Sequence, residues 1–249
     1  MKFKNKFLNN VSSIFIAIFV AILIRSFLFE PFNIPSGSMK PNLLVGDFIF
    51  VSKYSYGYSR HSFPFSLGDA NGDIISGKFF QNQPKRGDVV VFKTPENNRT
   101  DYIKRVIGLP GDKIRLDNGQ IIINDSKIYK KKIEEFIDTD TSQLIIEKGR
   151  RRQYLEYFFN KEIKVLDLYD NTFADNTGIF IVPDNKFFVM GDNRDNSQDS
   201  RFSTVGFIPS DNIIGKAQFI FFSLENSRFL QIWKWPTSIR YNRIFKKIQ

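Results

Sequence analysis

The sequence predicts a mainly β protein: an N-terminal transmembrane helix followed by a large antiparallel β-sheet domain that carries an inserted subdomain. Three observations predict it. A basic start and one long apolar run occupy the chain up to Phe29. Short apolar runs bounded by Gly, Pro, Asn or Asp recur beyond residue 35. Two polar stretches, 54–85 and 133–176, interrupt that recurrence.

The apolar run comes first. Lys2, Lys4 and Lys6 precede Val11–Ile24, which is apolar apart from Ser12 and Ser13; Arg25 then interrupts, and Ser26–Phe29 continues to Glu30-Pro31. Counted from Leu8 to Phe29, the run reaches the roughly 20 residues that a bilayer core requires, provided Arg25 extends to the interface. A cleaved signal peptide shares the basic start and apolar centre, but no small-x-small site follows this run. An uncleaved single-pass anchor over 11–29 is expected. Three lysines precede it and only Arg25 follows, which places residues 1–10 in the cytoplasm and 30–249 outside.

The strands follow. Asp47–Val51, Asp88–Phe92, Gly178–Val182, Lys186–Met190 and Ile213–Phe222 read as strands. Lys113–Leu116 and Gln120–Ile123 flank Asn118-Gly119, a type I′ hairpin signal. The stretch 54–85 reads as an excursion between strands, and 133–176 as an inserted subdomain or long hairpin. The C-terminal segment mixes Trp233 and Trp235 with Arg240, Arg243, Lys246 and Lys247. It suits a bilayer interface, and equally an amphipathic segment that closes the core.

Composition restricts the chemistry. The chain of 249 residues is 42% hydrophobic, which excludes a disordered chain. It has no cysteine, so thiol nucleophiles, Cys-ligated metals and disulfides are excluded. The one histidine, His61, rules out multi-His zinc sites and lies in a Ser/Gly/Asn-rich setting that reads as a solvated loop. Hydrolytic chemistry must therefore run on Ser, Lys, Asp, Glu or Tyr. The net charge of +10 points to an anionic partner, nucleic acid or lipid.

Three motifs carry candidate chemistry. Pro35-Ser-Gly-Ser-Met-Lys-Pro41 sets two serines about a glycine that permits a tight turn; a turn alone would explain it. In Asp101–Asp112, Lys104 lies among apolar strand residues, on the same side as Tyr102 and Val106. Burial there would depress its pKa toward the range of a useful base, although an ordinary edge lysine fits too. Met190–Arg201 is dense in Asp, Asn, Ser and Arg; its spacing is not that of an EF-hand, and a hydrogen-bond network supporting a site is the better reading.

Together and in this order, Glu30–Met39 with Leu43–Val51, Arg86–Phe92, Tyr102–Asp112 and Gly191–Arg201 resemble the type I signal peptidase (leader peptidase) family of Ser/Lys proteases. The blocks cover about a quarter of the chain, and the stretches 54–85 and 133–176 lie outside them. The resemblance implies a membrane-bound serine endopeptidase of the bacterial cytoplasmic membrane that removes signal peptides after a small-x-small motif. Its partners would be secretory preproteins and membrane lipid, near the secretion translocase, with no nucleic acid, metal or cofactor.

Residue by residue, Ser38 matches the nucleophile and Lys104 the general base. Ser36 matches the hydroxyl that joins the Ser38 N–H in the oxyanion hole, and Ser197 the serine that orients the lysine. Asp192, Arg194, Asp199 and Arg201 match the supporting network, the last two as an ion pair. Phe32, Ile34, Met39, Leu43, Tyr102 and Ile103 match the lining of a shallow substrate cleft. Rival readings are a dedicated Ser/Lys peptidase, such as a pilin-maturing or self-cleaving repressor type, and a tethered β domain that binds an anion. The repressor type is cytosolic, against the anchor, and few strands interleave aromatics with basic residues as a nucleic-acid surface would.

Overall fold

The computed structural model describes residues 2–59, 78–138, 149–227 and 229–249, with the backbone alone for residues 2–11. His61, the middle of the 54–85 stretch and residues 139–148 lie outside the described residues.

Helix α1 (Lys2–Phe27) contains no Gly or Pro and ends just before Glu30-Pro31, where the proline disfavours helical backbone at the preceding residue. Among the described residues no helix is long and apolar enough to cross a membrane, so the transmembrane span expected over 11–29 is not found there. Arg25 does not stand alone at the helix end: its guanidinium lies 3.1 Å from Glu30, which also pairs with the buried Lys53 at 2.9 Å.

Fourteen strands follow among the described residues: β1 (Phe29–Asn33), β2 (Asp47–Ser52), β3 (Val89–Lys93), β4 (Asp101–Gly108), β5 (Lys113–Asp117), β6 (Gln120–Ile123), β7 (Ser126–Lys127), β8 (Tyr129–Asp138), β9 (Gly149–Phe158), β10 (Lys161–Leu166), β11 (Phe180–Ile181), β12 (Lys186–Met190), β13 (Ile208–Pro209) and β14 (Ile213–Ser223). A seven-stranded sheet runs β1-β2-β14-β3-β4-β12-β13, and its neighbours pair antiparallel. The fold is therefore mainly β with large antiparallel sheets. A four-stranded sheet, β11-β5-β6-β7, holds the Asn118-Gly119 hairpin, and both turn residues have the positive φ that a type I′ turn needs (49° and 71°).

The 133–176 stretch belongs largely to a three-stranded antiparallel sheet, β10-β9-β8. Its polar, aperiodic sequence has a physical cause. Several of its buried positions are Asp138, Arg151, Gln153 and Glu156 rather than hydrophobes, and a register shift between Ile133 and Phe136 breaks the alternation.

Strand β4 is buried from Ile103 to Gly108 because both of its faces are covered. Ile103 packs with Met39, Leu43, Ile49, Val89 and Val91, whereas Tyr102 and Val106 pack with Val90, Phe92 and Val189. Lys104 and Arg105 lie on this covered stretch at 4% and 2% exposure, so the strand carries two buried cations. That is the step that makes a site.

At the C-terminus the two readings divide by residue. Arg243 and Arg240 turn inward onto the buried Asp47, Arg243 at 2.5 Å and Arg240 at 3.6 Å, whereas Trp233 and Phe245 remain exposed.

Candidate active site

Gly37–Met39 form a single 3₁₀ turn. Its apolar anchor is Met39, which is fully buried with Ile34, Leu43 and Ile49. Its polar anchor is Asn193: the backbone N–H donates to the Ser38 carbonyl and the side-chain amide to the Gly37 carbonyl, both at 3.0 Å. With both carbonyls held, the Ser38 hydroxyl is aimed across at β4. Lys104 Nζ lies 2.7 Å from Ser38 Oγ, a hydrogen bond that the ammonium donates and the neutral amine accepts. Both groups are buried, Ser38 at 7% and Lys104 at 4% exposure.

Burial lowers the Lys104 pKa from 10.5 to about 8; Asp199 and Asp192 oppose that fall and Arg201 assists it. The Tyr102 ring, 5.3 Å from Nζ, covers the amine from one side. Ser36 Oγ is 3.4 Å from Ser38 Oγ at the exposed rim. The pair opens into a cleft of about 340 Å³ lined by Ser36, Ser38, Tyr102, Ile103 and Lys104, with Asn196 and Gln198 from the polar loop. A serine hydroxyl, a deprotonatable amine and an open cleft are thus adjacent, an arrangement that suits acyl transfer.

A model of the family described as signal peptidase, peptidase S26, matches residues 7–222. The chain belongs to the signal peptidase family. A signal peptidase I of Rickettsia typhi is 41% identical over 242 residues, which cover 92% of this chain and 89% of that protein. Those of Rickettsia akari and Rickettsia conorii are 40% identical, each over 92% of this chain and 88% of its own length. A crystal structure of a signal peptidase I from Enterococcus faecalis is 24% identical with a TM-score of 0.32, covering 54% of this chain and 97% of that chain. Family membership makes the protein a peptidase of the signal peptidase class.

In this signal peptidase the other residues singled out in the sequence divide into three groups. Tyr102 and Ile103 line the cleft, whereas Ile34, Met39 and Leu43 form the core beneath it and Phe32 packs against that core, partly buried. The expected lining is therefore mostly floor support, because the turn needs apolar anchors more than the cleft needs walls.

The polar loop forms the second group. Arg201 pairs with Asp199 through two contacts of 2.8 and 2.9 Å, and the Gly191 N–H donates to Asp199 at 3.0 Å. Desolvation pushes the Asp199 carboxyl up, but Arg201 and the Gly191 N–H hold it below the ordinary carboxylate value. Asp192 and Arg194 do not pair with each other: Asp192 is bound by Arg105 at 2.6 and 2.7 Å, and Arg194 by Glu156 at 2.5 Å.

Ser197 stands apart. The expectation that it hydrogen-bonds Lys104 is not met: its buried hydroxyl makes no hydrogen bond of good geometry and instead faces Gly191 and Asp199. The 3₁₀ turn Arg194–Asn196 ends at Ser197 in an extended conformation that sends the side chain there. Gly191 is needed at this crossing, since a Cβ on it would collide with Ser197 Oγ and the Ser38 carbonyl. Gly191→Ala is accordingly expected to displace the Ser38 turn and lower kcat, measurable as a slower cleavage rate in a protein that still folds.

Sequence reasoning did not single out Arg105, Asn193, Glu156, Lys40 and Asp138. Arg105 had a signal, a second cation beside Lys104 in an apolar strand. It donates to Asp192, Gly87 O and Gln249 O. Asp192→Ala would leave this guanidinium buried without its carboxylate and is expected to destabilise the protein by roughly 3–5 kcal/mol, read as a lowered melting temperature.

Proposed function

We propose that the protein is a membrane-bound serine endopeptidase that removes signal peptides from secreted preproteins after a small-x-small motif, with Ser38 as nucleophile and Lys104 as general base. The observation that carries this reading is the buried 2.7 Å contact between the Lys104 amine and the Ser38 hydroxyl at the floor of an open cleft. The neutral amine takes the Ser38 proton as Oγ attacks the scissile carbonyl, and an acyl-enzyme forms. The resulting ammonium protonates the leaving amine, and the amine so regenerated activates the water that hydrolyses the ester.

The oxyanion is held by the Ser38 N–H and the Ser36 hydroxyl. Ser36→Ala is expected to lower kcat by about 100- to 1,000-fold with residual activity, since one donor of two is lost; a wild-type rate would remove Ser36 from this role. Asp199–Arg201 and Asp192–Arg105 act at one remove, fixing the loop that grips the Ser38 turn and tuning the field at Lys104. Preference for small side chains follows from a shallow cleft whose floor is already filled by Ile34, Met39 and Leu43.

Membrane attachment is supported by α1, which is 26 residues long, about 39 Å at 1.5 Å per residue. Its side chains Ile14, Phe15, Ile16, Phe19, Val20 and Ile24 are exposed around the helix, as in a helix surrounded by lipid. Beyond its end, ring contacts link Phe48, Phe50, Phe221, Phe222, Phe229 and Trp235 into one aromatic patch two residues from the exposed Trp233, which suits the interfacial zone. The test is detergent-solubilised protein against a secretory precursor. Cleavage is expected after Ala at positions −1 and −3, and Leu at either should abolish it; cleavage indifferent to those residues would sink the specificity.

A further inference from the structure

The β8–β9 hairpin lies largely outside the four sequence blocks that carry the family resemblance, yet it sends one buried carboxylate to the turn that carries Ser38 and a second to the loop that carries Asn193 and Arg194. Lys40, two residues after Ser38, closes the turn: its N–H donates to the Gly37 carbonyl at 3.1 Å. Its Nζ reaches Asp138 at the end of β8, 98 residues away, and donates to both carboxylate oxygens at 2.9 and 3.0 Å. Both side chains are almost fully buried, at 3% and 5% exposure. Arg151 of β9 lies 2.8 Å from the same carboxylate. Further along β9, Glu156 binds Arg194 through both oxygens at 2.5 Å; Arg194 in turn donates to Gly191 O at 3.3 Å, and its own carbonyl accepts from Arg201 at 2.6 Å.

Buried ion pairs recover little net stability after desolvation, and apolar side chains of similar volume often do as well. What a bidentate charged contact adds is a fixed position. Resting on the reading of Ser38 as nucleophile, we propose that the β8–β9 hairpin is a positioning element of the active site, with Asp138 holding the catalytic turn through Lys40. Glu156 is its second point of contact, behind the loop that carries Asn193. The Ser38 turn is thereby gripped from two sides: Asn193 fixes its carbonyls, and Asp138 fixes the side chain at its exit. Asp138 touches neither substrate nor the reacting atoms.

The experiment compares the full chain in detergent with Asp138→Asn, Lys40→Met and their double variant, each assayed on a model preprotein well below its own melting temperature. Each single change is expected to lower kcat by about 10- to 100-fold, the scale of an ångström-sized misplacement, with KM within about twofold. The acid limb of the rate should stay at the wild-type pH, because the lysine base is untouched. The double variant should be no worse than the weaker single, since both changes break one link.

Wild-type kcat in folded Asp138→Asn, or losses that multiply in the double variant, would overturn the proposal. Lys40→Met leaves Asp138 paired with Arg151 and serves if Asp138→Asn does not fold. Failure of both to fold would also overturn it, because the link would then be structural only. Ser38→Ala, run alongside, separates the two readings: activity retained there removes the nucleophile, whatever the Asp138 variants do.

Discussion

Ser38→Ala is expected to abolish preprotein cleavage, a loss of roughly 10⁴- to 10⁶-fold as for the removal of other serine nucleophiles, with the melting temperature nearly unchanged. The fold tolerates the change because the turn is held by Met39, by Asn193 on two carbonyls and by Lys40, none of which involves the Ser38 hydroxyl. What disappears is the hydroxyl oxygen 2.7 Å from the Lys104 amine. Cleavage and thermal melting of the same preparation check both halves. A folded variant that still cuts would mean that another group attacks the substrate.

Lys104→Met is expected to be equally inactive and, unusually for an active-site change, more stable below pH 8. With the Lys104 pKa lowered from 10.5 to about 8 by burial, the unfolded chain binds this proton more readily than the folded one between those values. Stability of the wild type should thus rise as pH increases from about 8 to 10.5, and below pH 8 the folded protein carries the full cost of a buried ammonium. Methionine fills similar space without charge and removes that cost, so the rise should shrink in the variant by the Lys104 share, leaving the part due to other buried lysines such as Lys78, whose pKa burial also lowers to about 8. The same titration governs the rate. With the neutral amine as the proposed base, wild-type kcat/KM should fall about tenfold per pH unit below 8, leaving roughly a tenth of the plateau at pH 7. A flat profile through this range would separate Lys104 from proton transfer.

The sequence disclosed those parts of the fold whose physics is local. The runs Asp47–Val51 and Lys186–Met190 are strands in the structure because alternation and bounding turn residues act within a few positions, and Asn118-Gly119 sets its hairpin through positive φ at both residues. The Ser38–Lys104 contact was visible only through resemblance, since neither a Ser-Gly-Ser turn nor a strand lysine is distinctive alone. What stayed hidden is long-range pairing of charge. Lys40 and Asp138 are 98 positions apart, and Arg194 and Glu156 38 apart; each reads as a surface residue until the fold buries its partner beside it. The same burial hid the strands of 133–176, whose inward positions include Asp138, Arg151, Gln153 and Glu156 among the hydrophobes. Of the residues expected to line the cleft, Tyr102 and Ile103 do so, whereas Ile34, Met39 and Leu43 are buried in the core around the Ser38 turn, and the Ser197 hydroxyl lies toward Gly191 and Asp199 rather than bonding the lysine.

Direct titration of the Lys104 side chain addresses the whole account. With lysines labelled at Cε, the resonance absent from Lys104→Met is assigned to Lys104 and followed by NMR from pH 6 to 11 in the folded wild-type protein. A midpoint near 8 is expected, moving when Ser38 is replaced by Ala. A midpoint near 10.5 that ignores the Ser38 substitution would contradict an uncharged amine seated on the nucleophile.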